Sequence, residues 1–195
     1  GSGLGSRSVE FAAAEDEVER MYELGWSDGL PLVPPTSERV LRMLEGTTRS
    51  SNEILASVPP NLVDLSIEKI AINAVMAGCK PEYLPIVISA LEAVCTDEFN
   101  MHGLLATTMP VGPVMFVNGP IRNEIGMNSG MNLLGQGNRA NSTIGRAVQL
   151  TIRNVGGGKP GGVDRATHGS PAKVGLCFAE DEEGSPWPSY SQSQG

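Results

Sequence analysis

The stretch Val117–Gly158, VNGPIRNEIGMNSGMNLLGQGNRANSTIGRAVQLTIRNVGGG, decides the fold. It reads as a strand end, a long polar and glycine-rich loop, and then a helix. Nine of the chain's 24 glycines lie here with seven asparagines and four arginines, so apolar mass is confined to the helix. A loop of about twenty residues inside a compact domain is uncommon, and is usually functional or disordered. The density of arginine and asparagine favours function, in the form of a small-molecule site.

Outward from this stretch, the flanking segments predict an α/β (α+β) chain: a helix-rich single domain with a small sheet and long Gly/Asn-rich loops. Upstream, PVMFVN (Pro113–Asn118) is the best strand candidate, and downstream KVGLCFA (Lys173–Ala179) reads as a second strand. Asn141 or Ser142 is the expected cap of the intervening helix, which runs to about Val155 with Ile144, Ala147, Val148 and Ile152 inward. Ser66 is placed to cap a strong helix, IEKIAINAVMAG, closed by Gly78. Pro81 opens the next helix, to about Val94, with Leu84, Val87, Ile88 and Leu91 on one face and Pro85 delaying or kinking its start. The two form a helical hairpin with its corner at Gly78-Cys79-Lys80. Thr96–Met109 is a mixed segment.

The N-terminal part predicts a helix over Val9–Leu24 and a Pro-rich extended arm, WSDGLPLVPPT, leading to a second helix at Glu38–Leu44. The main reading of Trp26 and Asp28 is structural; the rival is that they line a site or a subunit contact. Thr47–Pro60 reads as a connector with one short turn near Glu53–Leu55. The expected organisation is a flexible leader (1–8), a helical arm (9–46), a core domain (47–188) and a disordered tail (189–195).

Composition narrows the functional classes. The chain has 195 residues, 40% apolar and 18% charged, enough for one core and unlike the high-charge signature of disorder. A net charge of −8 and the lack of any Lys/Arg run argue against nucleic acid as a partner. No apolar run reaches the roughly 18 residues of a membrane span, so no membrane partner is expected. Three cysteines make no disulfide framework, and a reducing cytoplasm is the expected setting. Low charge with high Gly and Pro content points to a loop-rich globular protein or to one that buries surface in an oligomer, whether a homo-oligomer or a hetero-oligomer with a partner subunit.

Two places invite chemistry. The first is the glycine-rich loop and the helix N-terminus after it. Free backbone N–H groups there favour an anion, and Arg139 and Arg146 supply a bidentate clamp for carboxylate or phosphate. Asn118, Asn128, Asn132 and Asn141 are the residues expected to orient a substrate or polarise a carbonyl. GQGNRA matches G-x-G-x-x-A, but no strand directly precedes it and no acid follows until Asp164, which argues against a dinucleotide site. The competing reading is that these side chains cap the helix and satisfy the loop's own backbone. The second place is Cys79, just before a helix N-terminus and beside Lys80, two features that lower a thiol pKa. Its competing reading is a small buried residue at a tight corner; Cys95 and Cys177 read as core. His102 and Glu180 are the expected proton-transfer groups. The rest of the acidic run Glu180–Glu183 reads as a solvated face. His102, His168, Cys79 and Glu180 show no metal-ligand spacing, so no metal is assigned, and the cofactor is undetermined.

The segments WSDGLPLVPPT, AINAVMAGCKPEYLPIVISALEA, VNGPIRNEIGMNSGMNLLGQGNRANSTIGRA and CFAEDEEGSPW together resemble an uncharacterised bacterial family associated with, or fused to, UGSC-type thiol or selenol proteins. The resemblance covers most of Gly25–Trp187. It implies one half of a two-component system, because no U-G-S-C or C-G-S-C string occurs here, and it implies thiol-linked chemistry at Cys79. Family members with a longer C-terminal region imply a site completed by that region or by a partner chain.

The residues therefore point to an enzyme or enzyme subunit acting on a small anionic organic molecule. A lyase, hydrolase or reductase centred on Cys79 would each use this set. The alternatives are a non-catalytic scaffold whose partner carries the thiol or selenol, and a ligand-binding module. The binding module requires a pocket and an inert, apolar setting for Cys79.

Overall fold

A computed structural model describes residues 3–12 and 16–194. Its centre is α3 (Ile67–Ala77), a helix with hardly a wet residue: Ile67, Ile70, Ala71 and Ala74 are fully buried. Ser66 caps it by accepting from the Lys69 N–H, and Gly78 ends it in the left-handed conformation at φ 91°, which a side chain rarely adopts. A 3-10 turn at Pro81–Tyr83 then delivers the chain into α4 (Leu84–Val94), so Pro85 sits in the first turn, where its missing N–H costs nothing. The third helix of this layer is α7 (Arg139–Asn154), which packs across α3 and α4 through Ile144, Ala147, Val148 and Ile152.

On the other side of α7 lies a two-stranded parallel pair, β3 (Met115–Val117) and β4 (Cys177–Ala179), in register Met115 to Cys177 and Val117 to Ala179. Met115 and Cys177 turn inward, while Phe116 and Phe178 meet on the outer face with ring centroids 5.3 Å apart. Strand, loop, helix and strand thus form one βαβ unit, whose strand end, loop and helix are those read from Val117–Gly158 and whose last strand is that read from Lys173–Ala179. Two short helices complete this half: α5 (Met101–Ala106) and α6 (Ile121–Glu124). The fold is a single α+β domain, rich in helix.

Several expectations need correction. The connector Thr47–Pro60 contains β1 (Ile54–Val58), which pairs antiparallel with β2 (Val63–Ser66) and feeds directly into α3. The first helix is α1 (Glu17–Glu23), capped by Asp16; residues 9–12 are not helical, and 13–15 of the expected Val9–Leu24 helix lie outside the described residues. The cap of α7 is Asn138, whose side chain accepts from the Asn141 N–H at 2.9 Å, so Asn141 falls within the helix.

The arm is fastened to the helical layer. Thr36 caps α2 (Ser37–Leu44), and ahead of it Val33 donates to the Met76 carbonyl, while Asn154 of α7 donates to the Trp26 carbonyl. The expected free leader is tied down: the Gly5 and Ser6 N–H groups donate to the two oxygens of Glu68 at 2.9 and 2.7 Å. Gly1 and Ser2 lie outside the described residues. Most of the expected disordered tail forms α8 (Tyr190–Gln194); Gly195 also lies outside the described residues.

Candidate functional site

The side chains expected to form one site do not converge on one place. Asn128, Asn132, Arg139 and Asn141 sit at the start of α7. There the asparagines bind the chain itself. The Asn141 side chain accepts from the Asn128 N–H at 3.1 Å and donates to the Asn128 and Leu133 carbonyls. Asn128 and Asn132 close the loop by donating to the Met131 and Gln136 carbonyls. Arg139 donates from Nε to the Gly78 carbonyl at 3.0 Å. The loop's polar side chains thus satisfy its own backbone, which is the competing reading of the stretch.

Arg146 is a turn and more away, and is held by the Pro-rich arm. Its Nε and Nη2 donate to the two carboxylate oxygens of Asp28 at 2.9 and 2.8 Å, and Nη2 also reaches the Leu30 and Pro31 carbonyls. The expected Arg139–Arg146 clamp does not form, because each arginine holds a different part of the chain.

Asn118 and Glu180 meet at the carboxyl ends of β3 and β4, where open α/β sheets commonly bind ligands. Here the protein fills that crevice itself. Asn118 donates to Glu180, and Glu180 also accepts from the Tyr190 N–H at the start of α8. Glu182 accepts from the Gly119 N–H, and Glu183 takes a two-pronged bond from Arg122, a side chain only 3% exposed. The Arg122 fork holds the Glu183 carboxyl down at about 2. The acidic run is therefore not simply a solvated face: two of its members anchor a buried arginine. His102 is exposed on α5.

Cys79 is 7% exposed, and its Sγ donates to the Thr143 carbonyl at 3.3 Å. Burial pushes the thiol up to about 12, outweighing the Thr143 contact and the charges of Arg139 and Arg146, which act the other way. The expected lowering is thus reversed. The helix start beside it is a single 3-10 turn, and Lys80 turns outward toward Glu82. Cys177 is likewise raised to about 12 by burial and by its neighbour Cys79. Among the described residues no group of three or more His, Cys, Asp and Glu side chains is placed to hold a metal ion. Nor is any described helix long and apolar enough to cross a membrane.

An open cleft of about 610 Å³ lies elsewhere, against the second half of α7. Its floor is apolar, from Met101 and Leu105 of α5 with Val111, Pro113 and Val174. Its rim is the loop from Gly158 to Val174, stitched down by Arg165 N–H to the Leu105 carbonyl and Thr167 N–H to the Thr108 carbonyl, both at 2.9 Å. Four fixed charges line it: Asp28, Arg153, Asp164 and Lys173. Three are neutralised within the protein. Asp28 is held by Arg146, and Lys173 pairs with Asp164 at 3.1 Å. Arg153 is the exception. Among the described residues its guanidinium has no hydrogen-bond or ion-pair partner, and its Nε is shielded from solvent. Ser170, on the same wall, has a buried Oγ with no protein partner, although it stands at the cap position of the 3-10 turn Pro171–Lys173.

Sequence reasoning passed over Arg153. One signal was present: Arg146, Gln149 and Arg153 fall at i, i+3 and i+7, a polar stripe on one face of an otherwise core-packed helix. No family model matches the chain, and neither a curated protein nor a solved structure is similar to it.

Proposed function

We propose that the protein binds a small organic anion in the cleft beside α7, with Arg153 as the residue that holds its charge. The observation that supports this is the unpartnered Arg153 on the wall of an otherwise charge-balanced cleft. A shielded donor without an acceptor costs roughly 1–3 kcal/mol. A carboxylate or phosphate oxygen entering the cleft supplies that acceptor after a small rotation of the guanidinium. The cleft volume lies in the range usual for small-ligand sites, and its mixture of apolar floor and few polar groups is of the same kind.

The binding-module reading of the sequence fits better than thiol catalysis at Cys79. A thiol raised to about 12 and bonded to Thr143 is a poor nucleophile near neutral pH. Any chemistry on the bound anion would come from groups around the cleft or from a partner subunit, as the resemblance to thiol- and selenol-associated proteins implies. One observation favours a partner: Met131 and Leu134 on the glycine-rich loop are 95% and 65% exposed. Titration calorimetry with sodium benzoate tests the binding reading. The wild type and the R139Q variant are expected to bind, and R153Q is not. Equal binding by R153Q would overturn it.

A further inference from the structure

Resting on that reading, we infer that the cleft selects a monocarboxylate with an apolar body over a phosphate ester. The charge count comes first. With Asp28 and Asp164 each matched by a cation, the lining carries one surplus positive charge, that of Arg153. A singly charged ligand is balanced by it. A dianion leaves one negative charge uncompensated in a cleft that already holds two carboxylates.

The donors point the same way. The guanidinium of Arg153 presents a planar fork, which matches the two oxygens of a carboxylate. The Ser170 hydroxyl, buried and without a protein partner, adds one further donor from the cleft lining. Two prongs and one hydroxyl satisfy a carboxylate. The three terminal oxygens of a phosphate ester demand more donors, and the other cation of the cleft, Lys173, is held by Asp164 and the Val111 carbonyl. Apart from Gln149, whose amide donates to the Ala172 carbonyl, and Thr167 and His168, the rest of the lining is largely hydrocarbon, chiefly Met101, Leu105, Val111, Pro113 and Val174. These would desolvate an aromatic ring or a branched alkyl chain, and they offer little to a sugar or a second charged group.

The experiment compares three probes of one shape, benzoate, phenyl phosphate and benzamide, by titration calorimetry against the full chain at pH 7.5. Benzoate is expected to bind, phenyl phosphate at least tenfold more weakly, and benzamide weakest of all. S170A is expected to weaken benzoate about fivefold, as for a single lost hydrogen bond. Phenyl phosphate binding as tightly as benzoate, with R153Q abolishing both, would overturn the carboxylate preference and leave the anion site standing. Benzamide binding as well as benzoate, or no binding by any probe, would overturn the anion site and the preference with it. The probe comparison uses wild-type protein, so it stands whether or not the variants fold.

Discussion

Arg146 and Asp28, 118 residues apart in the chain, form a two-pronged ion pair that fastens the Pro-rich arm to the middle of α7. Both side chains are mostly buried, 14% and 11% exposed. Burial pulls the Asp28 carboxyl up, but the hydrogen bonds and charge of Arg146 outweigh it and hold the group below its ordinary value. The arm therefore borders the cleft without contributing a free charge to it.

Breaking this pair has a directional cost. D28N is expected to destabilise the fold by roughly 3 kcal/mol, the low end for a buried pair because one edge stays wet. A carboxyl with a lowered folded-state pKa contributes stability that is complete above its unfolded value of about 3.9 and is lost as pH falls through the folded value. Urea midpoints between pH 7 and pH 3 should therefore fall less steeply for D28N than for wild type. An unchanged midpoint at pH 7 would contradict the structural role.

The thiols act at the other end of the pH scale. Cys79 and Cys177, both raised to about 12, keep protons that an unfolded chain releases near 8.5. Their contribution is complete below about pH 8.5 and is lost as pH rises toward 12. The wild type should lose at least about 1 kcal/mol between pH 8 and pH 10, and the C79A/C177A variant distinctly less. At pH 7.5, alkylation of Cys79 should be slow and should track unfolding; a fast reaction in the folded protein would contradict its burial.

Asn141 is expected to hold the glycine-rich loop. N141A leaves the Asn128 N–H and the Asn128 and Leu133 carbonyls without their side-chain partner, at a cost of about 2–3 kcal/mol. Limited proteolysis should then cut between residues 128 and 137, where wild type resists. Equal resistance would show that the loop holds without Asn141.

Gly175 lets β4 approach α7. At φ 155° its added Cβ would stand 2.5 Å from the Arg146 backbone nitrogen and 2.6 Å from the Gly145 carbonyl carbon. Both neighbours are backbone, so neither yields cheaply. G175A should destabilise by about 3 kcal/mol or more, measured by urea unfolding; a change under about 0.5 kcal/mol would contradict the close approach.

These residues also show how far the sequence carries. The α3–α4 hairpin was legible because its apolar spacing, the Ser66 cap and Gly78 all agree, and agreement across levels is what specifies a structure. The β1–β2 hairpin was not, since its strands are four and five residues long and bury little beyond Val58 and Leu65. Asn138 and Asn141 are equally good caps by chemistry. What separates them is tertiary, because Asn141 is needed to bridge the loop. Likewise, an arginine on a helix looks the same whether an acid 118 residues away claims it, as for Arg146, or none does, as for Arg153. Charge pairing over such distances decides which arginine is left without a partner, and local pattern does not encode it.

The most direct measurement reads the Arg153 side chain itself. In a proton–nitrogen NMR titration of the full chain with sodium benzoate, with the signal assigned by its loss in R153Q, the Arg153 Nε–H resonance is expected to shift downfield and saturate. The backbone signals of residues 168–174 should move with it, while those of 128–141 stay in place. An Arg153 Nε–H that does not respond while benzoate binds elsewhere, or a shift confined to the glycine-rich loop, would contradict the account.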